Sequence, residues 1–153
     1  MFRNLRFPIS LLLLAAAVLI AGCGGKGAAS PQGVVAEAFD DLRAQVAQVV
    51  VDAERRDTAI ELVDRLERDY GALYDGVQER RTRLRALHAN YDATREQLVD
   101  LADQLEADVR EARRTTGLTH RELMAATTAE EWASIRKANT KTMKAAIAAL
   151  QSI

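Results

Sequence analysis

The stretch VDRLERDYGALYDGVQERRTRLRALHANY, residues 63–91, carries an apolar side chain at nearly every third or fourth position. This spacing places those side chains along one face of an α-helix, as in the heptad pattern of helices that pack in coiled coils. We therefore predict a helix over about 53–89 with a long apolar seam, packed against another helix of the same chain or of a second copy. The seam consists of Val63, Leu66, Tyr70, Leu73, Val77, Leu84, Leu87 and Tyr91, with Arg80 at its one polar position.

A shorter helix is predicted before this one, from residue 33 or 34 to about 50. Its apolar stripe repeats at spacings of three and four. Asp52 is expected to cap the start of the second helix, because a short acceptor side chain can satisfy free backbone N–H groups there. A continuous helix through Asp52 is the competing interpretation. The stripe of the first helix consists of Val35, Phe39, Leu42, Val46 and Val49.

Two further helices are predicted after a turn in HANYD, residues 88–92. Asn90 tolerates a left-handed backbone, and Asp92 is expected to cap the third helix. That helix either continues to about residue 126 or breaks near Gly117. The capping-box pattern Thr128-x-x-Glu131 predicts the start of the fourth helix. The seam of the third helix consists of Leu98, Leu101, Leu105, Val109 and Ala112.

Composition and helix lengths together indicate the fold class. Both prolines precede residue 32, and Ala, Leu, Arg and Glu dominate, as is typical of helical chains. The second and third helices would each be about 50 Å long, and the other two half to two-thirds of that. Short connections make neighbouring helices antiparallel. We predict an all-α antiparallel four-helix bundle with a long, projecting, coiled-coil-like helical hairpin whose tip contains residues 85–95.

The N-terminus has the pattern of a secretory signal peptide. The basic start MFRNLR is followed by the apolar run PISLLLLAAAVLIAG, residues 8–22. Ile20, Ala21, Gly22 and Cys23 then resemble the lipobox of bacterial lipoproteins. This resemblance implies cleavage before Cys23, a covalent diacylglycerol on its thiol and an N-acyl lipid on its amine. The alternatives are an ordinary signal peptide with a free cysteine, or an uncleaved anchor.

Three segments follow from this interpretation. Residues 1–22 form the cleaved signal peptide, 23–32 a lipidated flexible tether, and 33–153 a single helical domain. Two or more acyl chains hold a protein stably at a membrane. In Gram-negative lipoproteins, an aspartate directly after the lipidated cysteine resembles a signal for retention in the inner membrane. Gly24 occupies that position in this sequence. We therefore expect the periplasmic face of the outer membrane, or the outer face of the cytoplasmic membrane in a host without an outer membrane.

Charge and side-chain patterns limit the classes of function. Loss of residues 1–22 would leave 19 basic and 22 acidic residues, a net charge of −3, which does not attract nucleic acid. Di-iron bundles need Glu-x-x-His on two helices, whereas Arg85 and Gly117 precede His88 and His120 by three positions. No glycine-rich phosphate loop or nucleophile elbow occurs in the sequence. We expect no enzyme activity, no metal site and no cofactor other than the lipid on Cys23.

A basic run, RRTRLR at 80–85, is the candidate contact site. A hairpin centred near residue 90 would place residue 80 opposite residue 100, within an acidic segment at 96–111. The basic side chains would then form ion pairs across the hairpin. Alternatively, they form a tip that contacts anionic phospholipid, lipopolysaccharide or cell-wall polymer. The candidate tip residues are Arg80, Arg81, Arg83, Arg85 and His88.

The segments ALHANYDATREQL and TTAEEWASIRKA resemble small helical envelope proteins and lipoproteins of bacteria without an assigned activity. The resemblance implies fold and location, and no chemistry. LTHRE, residues 118–122, shares Leu-Thr with the Leu-Thr-x-x-Gln hallmark of periplasmic Spy-type chaperones, but has Glu122 in the last position. We expect a non-catalytic envelope scaffold or interaction module, with the bilayer and an envelope protein or anionic polymer as partners, and oligomers are possible. The alternative function is a periplasmic holdase-type stress chaperone.

Overall fold

The computed structural model describes residues 30–152, which form four α-helices and, within that range, no β-strand. The helices are α1 (Pro31–Val49), α2 (Ala53–His88), α3 (Arg95–Ala125) and α4 (Ala129–Gln151). The prediction of an all-α chain with four helices is therefore confirmed. α1 packs against α4 and α2, and α2 packs against α3, as expected for a helical bundle.

The junctions on either side of the long helices follow the predicted caps. Asp52 has an extended backbone, and its Oδ1 accepts a hydrogen bond from the Arg55 N–H at 2.9 Å. This cap separates α1 from α2, so the continuous helix through Asp52 is excluded. Thr128 and Glu131 form the predicted capping box of α4. Gly117 does not interrupt α3, which continues to Ala125.

The turn between α2 and α3 differs from its prediction. Thr94, rather than Asp92, caps α3 through a capping box with Gln97. Asn90 needs no left-handed backbone, since no residue in the described range has a positive φ. Its side-chain Oδ1 instead accepts a hydrogen bond from the Asp92 N–H at 3.0 Å, which closes the turn. Asp92 and Thr94 are both good cap residues, and the prediction chose the earlier one. Thr94 is the cap because Gln97, three residues later, completes a capping box with it.

The hydrophobic core lies where α1 meets α2, α4 and the C-terminal part of α3. Phe39 is fully buried, and its ring centroid lies 6.4 Å from that of Tyr70 on α2. Leu123 is the one α3 residue in the core cluster. Burial of these side chains supplies the main favourable free energy of the fold. The fully or almost fully buried apolar side chains include Val35, Phe39, Leu42, Val46, Val50, Val63, Leu123 and Ile135.

Two polar residues of α4 are also buried in this core. The Thr142 Oγ1 donates a hydrogen bond to the Ala38 carbonyl of α1 at 2.8 Å. Asn139 is 4 % exposed, and its Nδ2 lies 3.4 Å from His120 Nδ1 on α3. A buried hydroxyl or amide needs such partners to offset its desolvation. These residues therefore link α4 to its neighbours through polar contacts as well as apolar packing.

Ion pairs connect different helices where pairs within one helix were expected. In the sequence, Glu61–Arg65 and Asp64–Arg68 have the (i, i+4) spacing that favours ion pairs within one helix. Asp64 instead accepts from Arg43 of α1 at 2.7 Å, and Arg65 donates to Glu122 of α3 at 2.7 Å. The (i, i+4) spacing predicts only which side chains are neighbours within one helix. The ion-pair partners on other helices are determined by how the helices pack.

A further interhelical pair joins α2 to the start of α4. Arg55 donates two hydrogen bonds to the Glu131 carboxylate, at 2.6 and 3.1 Å. The Thr128 N–H donates to the same carboxylate at 2.8 Å. The Arg55 guanidinium and this backbone donor together lower the pKa of Glu131. Glu131 therefore acts both in the α4 cap and as a link between helices.

The register of α2 against α3 is fixed by Arg80, which pairs with Asp108. The sequence had placed residue 80 opposite residue 100, and that prediction is wrong. α3 begins at Arg95, later than expected. The pairs Arg80–Asp108 and Arg65–Glu122 both join an α2 residue to a later position on α3 than a hairpin centred near residue 90 would give.

Candidate functional site

The predicted basic residues divide into two groups in the structure. Arg80 is largely buried, with 18 % of its side chain exposed; it pairs with Asp108 and donates to the Gly76 carbonyl at 2.9 Å. It therefore supports α2–α3 packing and does not belong to a contact surface. Arg81, Arg83, Arg85 and His88 are all exposed.

Most of the exposed group has no competing ionic partner. Within residues 30–152, neither Arg81 nor Arg83 forms an ion pair, and Arg85 donates only to the Thr82 hydroxyl at 3.3 Å. The interpretation of the whole basic run as cross-hairpin ion pairing is therefore wrong for all but Arg80. The other basic side chains remain available to an anionic partner.

Two apolar residues, one near the end of α2 and one in the turn that follows, are also exposed. Tyr91 is fully exposed, at 106 %, and Leu84 is 39 % exposed. Tyr91 had been predicted to lie in the buried seam. It does not, because α2 ends at His88 and the turn carries Tyr91 off the helical face. We define the tip surface as Arg81, Arg83, Leu84, Arg85, His88 and Tyr91.

A second site, which sequence reasoning missed, is an apolar groove of about 740 Å³ bounded by α2, α3 and α4. Ligand sites in proteins typically have volumes of a few hundred to a thousand Å³. The seam residues Leu73, Val77 and Val109 line it. These residues had been predicted to pack against each other. The sequence therefore identified them as apolar but did not indicate that an open groove separates them. From α4, the groove is lined by Met143, Ala146, Ile147, Leu150 and Gln151.

The polar residues that line the groove come from all three helices: Asp69 and Tyr70 from α2, Arg113, Thr116 and His120 from α3, and Gln151 from α4. Asp69 Oδ2 and Tyr70 Oη are shielded from solvent and form no hydrogen bond, although both residues line the groove. Burial, together with the neighbouring Tyr74, raises the pKa of Tyr70, so its phenol stays protonated. On α3, Arg113 is exposed at the rim. These groups suit binding through hydrogen bonds and apolar contact.

His120 also lines the groove, but its contacts hold the helices together. Its ring lies edge-on to Trp132, with centroids 5.2 Å apart, and its Nδ1 faces Asn139. Among residues 30–152, no group of three or more His, Cys, Asp or Glu side chains is placed to hold a metal ion. No helix in the same range is long and apolar enough to cross a membrane. The lipobox residues Ile20, Ala21, Gly22 and Cys23 lie outside the described residues.

Comparison with models of known protein families, with curated proteins and with solved structures found no significant match. The tip surface and the groove are the two candidate functional surfaces of this chain.

Proposed function

We propose that this chain is a non-catalytic, membrane-anchored helical lipoprotein of the bacterial cell envelope that acts as a scaffold or interaction module. The anchor is the diacylglycerol and N-acyl lipid on Cys23. The protein resides at the periplasmic face of the outer membrane, or at the outer face of the cytoplasmic membrane where the host has only that membrane. Its contact region is the tip surface, which binds an anionic envelope polymer, an anionic lipid surface or an acidic envelope protein.

In this proposal, α2 and α3 form an antiparallel hairpin that extends beyond α1 and α4. Contacts between Arg65 and Glu122, and between Arg80 and Asp108, support the antiparallel direction, because the earlier residue of α2 meets the later residue of α3. Helix lengths support the projection. With 36 and 31 residues, α2 and α3 are about 54 and 46 Å long, whereas α1 and α4 are about 28 and 34 Å long.

The single observation that carries the proposal is the composition and exposure of the tip surface. Three exposed arginines and an exposed histidine lie on the last two turns of α2, and a fully exposed tyrosine lies in the turn that follows. Arginine and tyrosine are enriched at protein interfaces, because each combines apolar area with hydrogen-bonding groups.

Replacing Arg83 and Arg85 together with glutamate is expected to weaken binding to an anionic surface at least about tenfold, since each basic residue near such a surface contributes about 1 kcal/mol. The full chain would be reconstituted in neutral phosphatidylcholine nanodiscs. Capture of phosphatidylglycerol vesicles by these nanodiscs, measured at 50 and 300 mM salt, gives the affinity and its screening.

The matched control is Arg136→Glu with Lys137→Glu, which changes the charge equally on an exposed face of α4. We expect this control to bind as the unchanged chain does. The melting temperature of the tip variant should be unchanged, because Arg83 and Arg85 make no ion pair to α3. Equal vesicle capture by the tip variant and the unchanged chain would refute the proposed contact.

The groove favours a second candidate function, a holdase that takes unfolded polypeptide clients against the inner faces of α2 and α3. Gly117 lines the groove, and a Cβ at this position would meet no atom within 4 Å. A holdase should suppress aggregation of a reduced, unfolding client at equimolar amounts, and Gly117→Leu should abolish the suppression. Gly71→Leu, at an equally open position outside the groove, should not. Aggregation that proceeds unaltered with the unchanged chain removes this candidate.

A further inference from the structure

A smaller open space of about 420 Å³ lies between the end of α2 and the start of α3, and no residue of α1 or α4 lines it. We call it the tip cleft. Its floor is apolar, and its walls carry amides and charged side chains. Protein interiors leave few voids of this size, so the tip cleft has room for the side chains of a partner. From α2 and the following turn it is lined by Arg83, Ala86, Leu87 and Asn90, and from α3 by Gln97, Asp100, Leu101 and Gln104.

The helices around the tip cleft bury little of their own apolar surface. Of residues 75–110, only Leu101 is buried. Nearer its start, where α1 and α4 also contact it, α2 buries Leu62, Val63 and Leu66. The apolar stripe of a helix is stable in water when another element covers it. Two helices alone leave the sides of their shared seam open, so further helices are the elements that would cover the tip cleft.

Each helix contributes one unpaired charge to the tip cleft. Arg83 on α2 and Asp100 on α3 both line it, and within residues 30–152 neither forms an ion pair. An anionic partner would attract Arg83 and repel Asp100. A surface with a base on one wall and an acid on the other is instead complementary to a second copy of itself. In a two-fold symmetric pair, the Arg83 of each chain faces the Asp100 of the other, and two ion pairs form.

The same charges select one of the two symmetric arrangements in which the cleft faces can pack. With the tips pointing in opposite directions, α2 lies across the α2 of the other chain, and like charges meet. With the tips at the same end, α2 lies across the α3 of the other chain, and unlike charges meet. The second arrangement also places the starts of both α1 helices at the same end, as two chains anchored in one bilayer require.

We infer that the tip cleft is a self-association surface through which two copies of this chain pair side by side, with their tips at the same end. This inference rests on the antiparallel α2–α3 hairpin and the anchor of the proposed function. The cleft is small for a dimer interface, so the pair is weak in solution and forms where a common bilayer holds the chains close together. Arg81, Arg85 and His88 do not line the cleft and stay exposed for the anionic partner of the tip surface.

Photocrosslinking of the full chain in intact cells tests the contact. The photoreactive amino acid p-benzoylphenylalanine replaces Gln104 on the wall of the cleft, and two copies with different affinity tags are produced together. Asp103 is the matched control position, because it is adjacent, exposed and outside the cleft. We expect position 104 to give a product that carries both tags, with the crosslink on residues 81–90 of the other copy. Position 103 should give almost none.

Charge reversal tests the two ion pairs, with the photoreactive residue kept at position 104. Asp100→Arg in both copies should lower the two-tag product about tenfold, because two attractions become two repulsions. Arg83→Glu in both copies should do the same. One copy with Asp100→Arg and the other with Arg83→Glu should restore the product, since unlike charges meet again. Asp103→Arg makes the same charge change outside the cleft and should pair as the unchanged chain does.

Equal crosslinking from positions 104 and 103, or none from either, would overturn the tip cleft as a contact between copies. A mixed pair of Asp100→Arg and Arg83→Glu chains that fails to recover would overturn the ion pairs from which the partner is inferred.

Asp100→Arg also distinguishes this pairing from clustering of the chains on a shared anionic partner. The variant makes the tip more basic, so clustering on an anion would increase the two-tag product, whereas direct pairing predicts its loss. An increase would refute the self-association and leave the proposed anion contact of the tip surface standing. Vesicle capture measures that contact separately, so either proposal can fail without the other.

Discussion

Replacing Phe39 with alanine is expected to lower the free energy of unfolding by about 3–5 kcal/mol, the range for truncating a buried aromatic side chain. Phe39 is fully buried at the centre of α1, and its ring lies beside that of Tyr70. Truncation removes this contact and leaves a cavity that the surrounding helices fill only in part. It should also loosen the packing of Tyr70, which lines the groove.

Denaturant-induced unfolding of the full chain, followed by circular dichroism, measures the effect. Val34→Ala is the matched control, since Val34 belongs to the same helix and is 45 % exposed. We expect the control to change the unfolding free energy by no more than about 0.5 kcal/mol. A loss below about 1 kcal/mol for Phe39→Ala would contradict the packing of α1 described here.

Replacing Leu123 with alanine is expected to cost about 2–5 kcal/mol, as for other buried leucines. Leu123 is fully buried and is the one residue through which α3 enters the core cluster. Its loss should therefore weaken the attachment of the C-terminal part of α3 to the bundle as well as the whole fold. Arg65–Glu122 is an exposed ion pair beside it and contributes little to holding this segment.

Hydrogen exchange of the α3 amides around residues 115–125 would report the local effect, and denaturant unfolding the global one. Leu118→Ala provides the control, because Leu118 is on the same helix and is 38 % exposed. We expect that variant to exchange at nearly the rate of the unchanged chain. Similar exchange and stability in Leu123→Ala and Leu118→Ala would show that α3 is held by something other than its core leucine.

Local patterns predicted much of the fold. The stripe of α1, with Phe39 and Leu42, was identified by its spacing alone, because a one-sided apolar helix has only one face that it can bury. Asp52 and Thr128 were identified as caps because capping depends on residues close in sequence. The turn after α2 was harder to predict, since Asp92 and Thr94 are both suitable caps two positions apart.

The candidate site was predicted less completely. Arg81, Arg83, Arg85 and His88 were chosen as a basic cluster, and all four are exposed. Arg80 was included with them, but it lies on the inner side of α2 against Asp108. Arg80 occupies the one polar position in the apolar seam of α2, and that position indicated that its side chain faces the inner side of the helix. Tyr91 was assigned to the seam because its spacing continues the pattern beyond the end of the helix.

The sequence by itself determined the helices, their apolar faces and most of their caps, since each depends on residues within a few positions of one another. Tertiary structure alone decided the pairing of residue 80 with 108, the ion pairs between helices and the groove beside Asp69. These features depend on how far one helix is displaced along another and on how well distant side chains fill the space between them. Neither quantity is encoded in the spacing of a single segment.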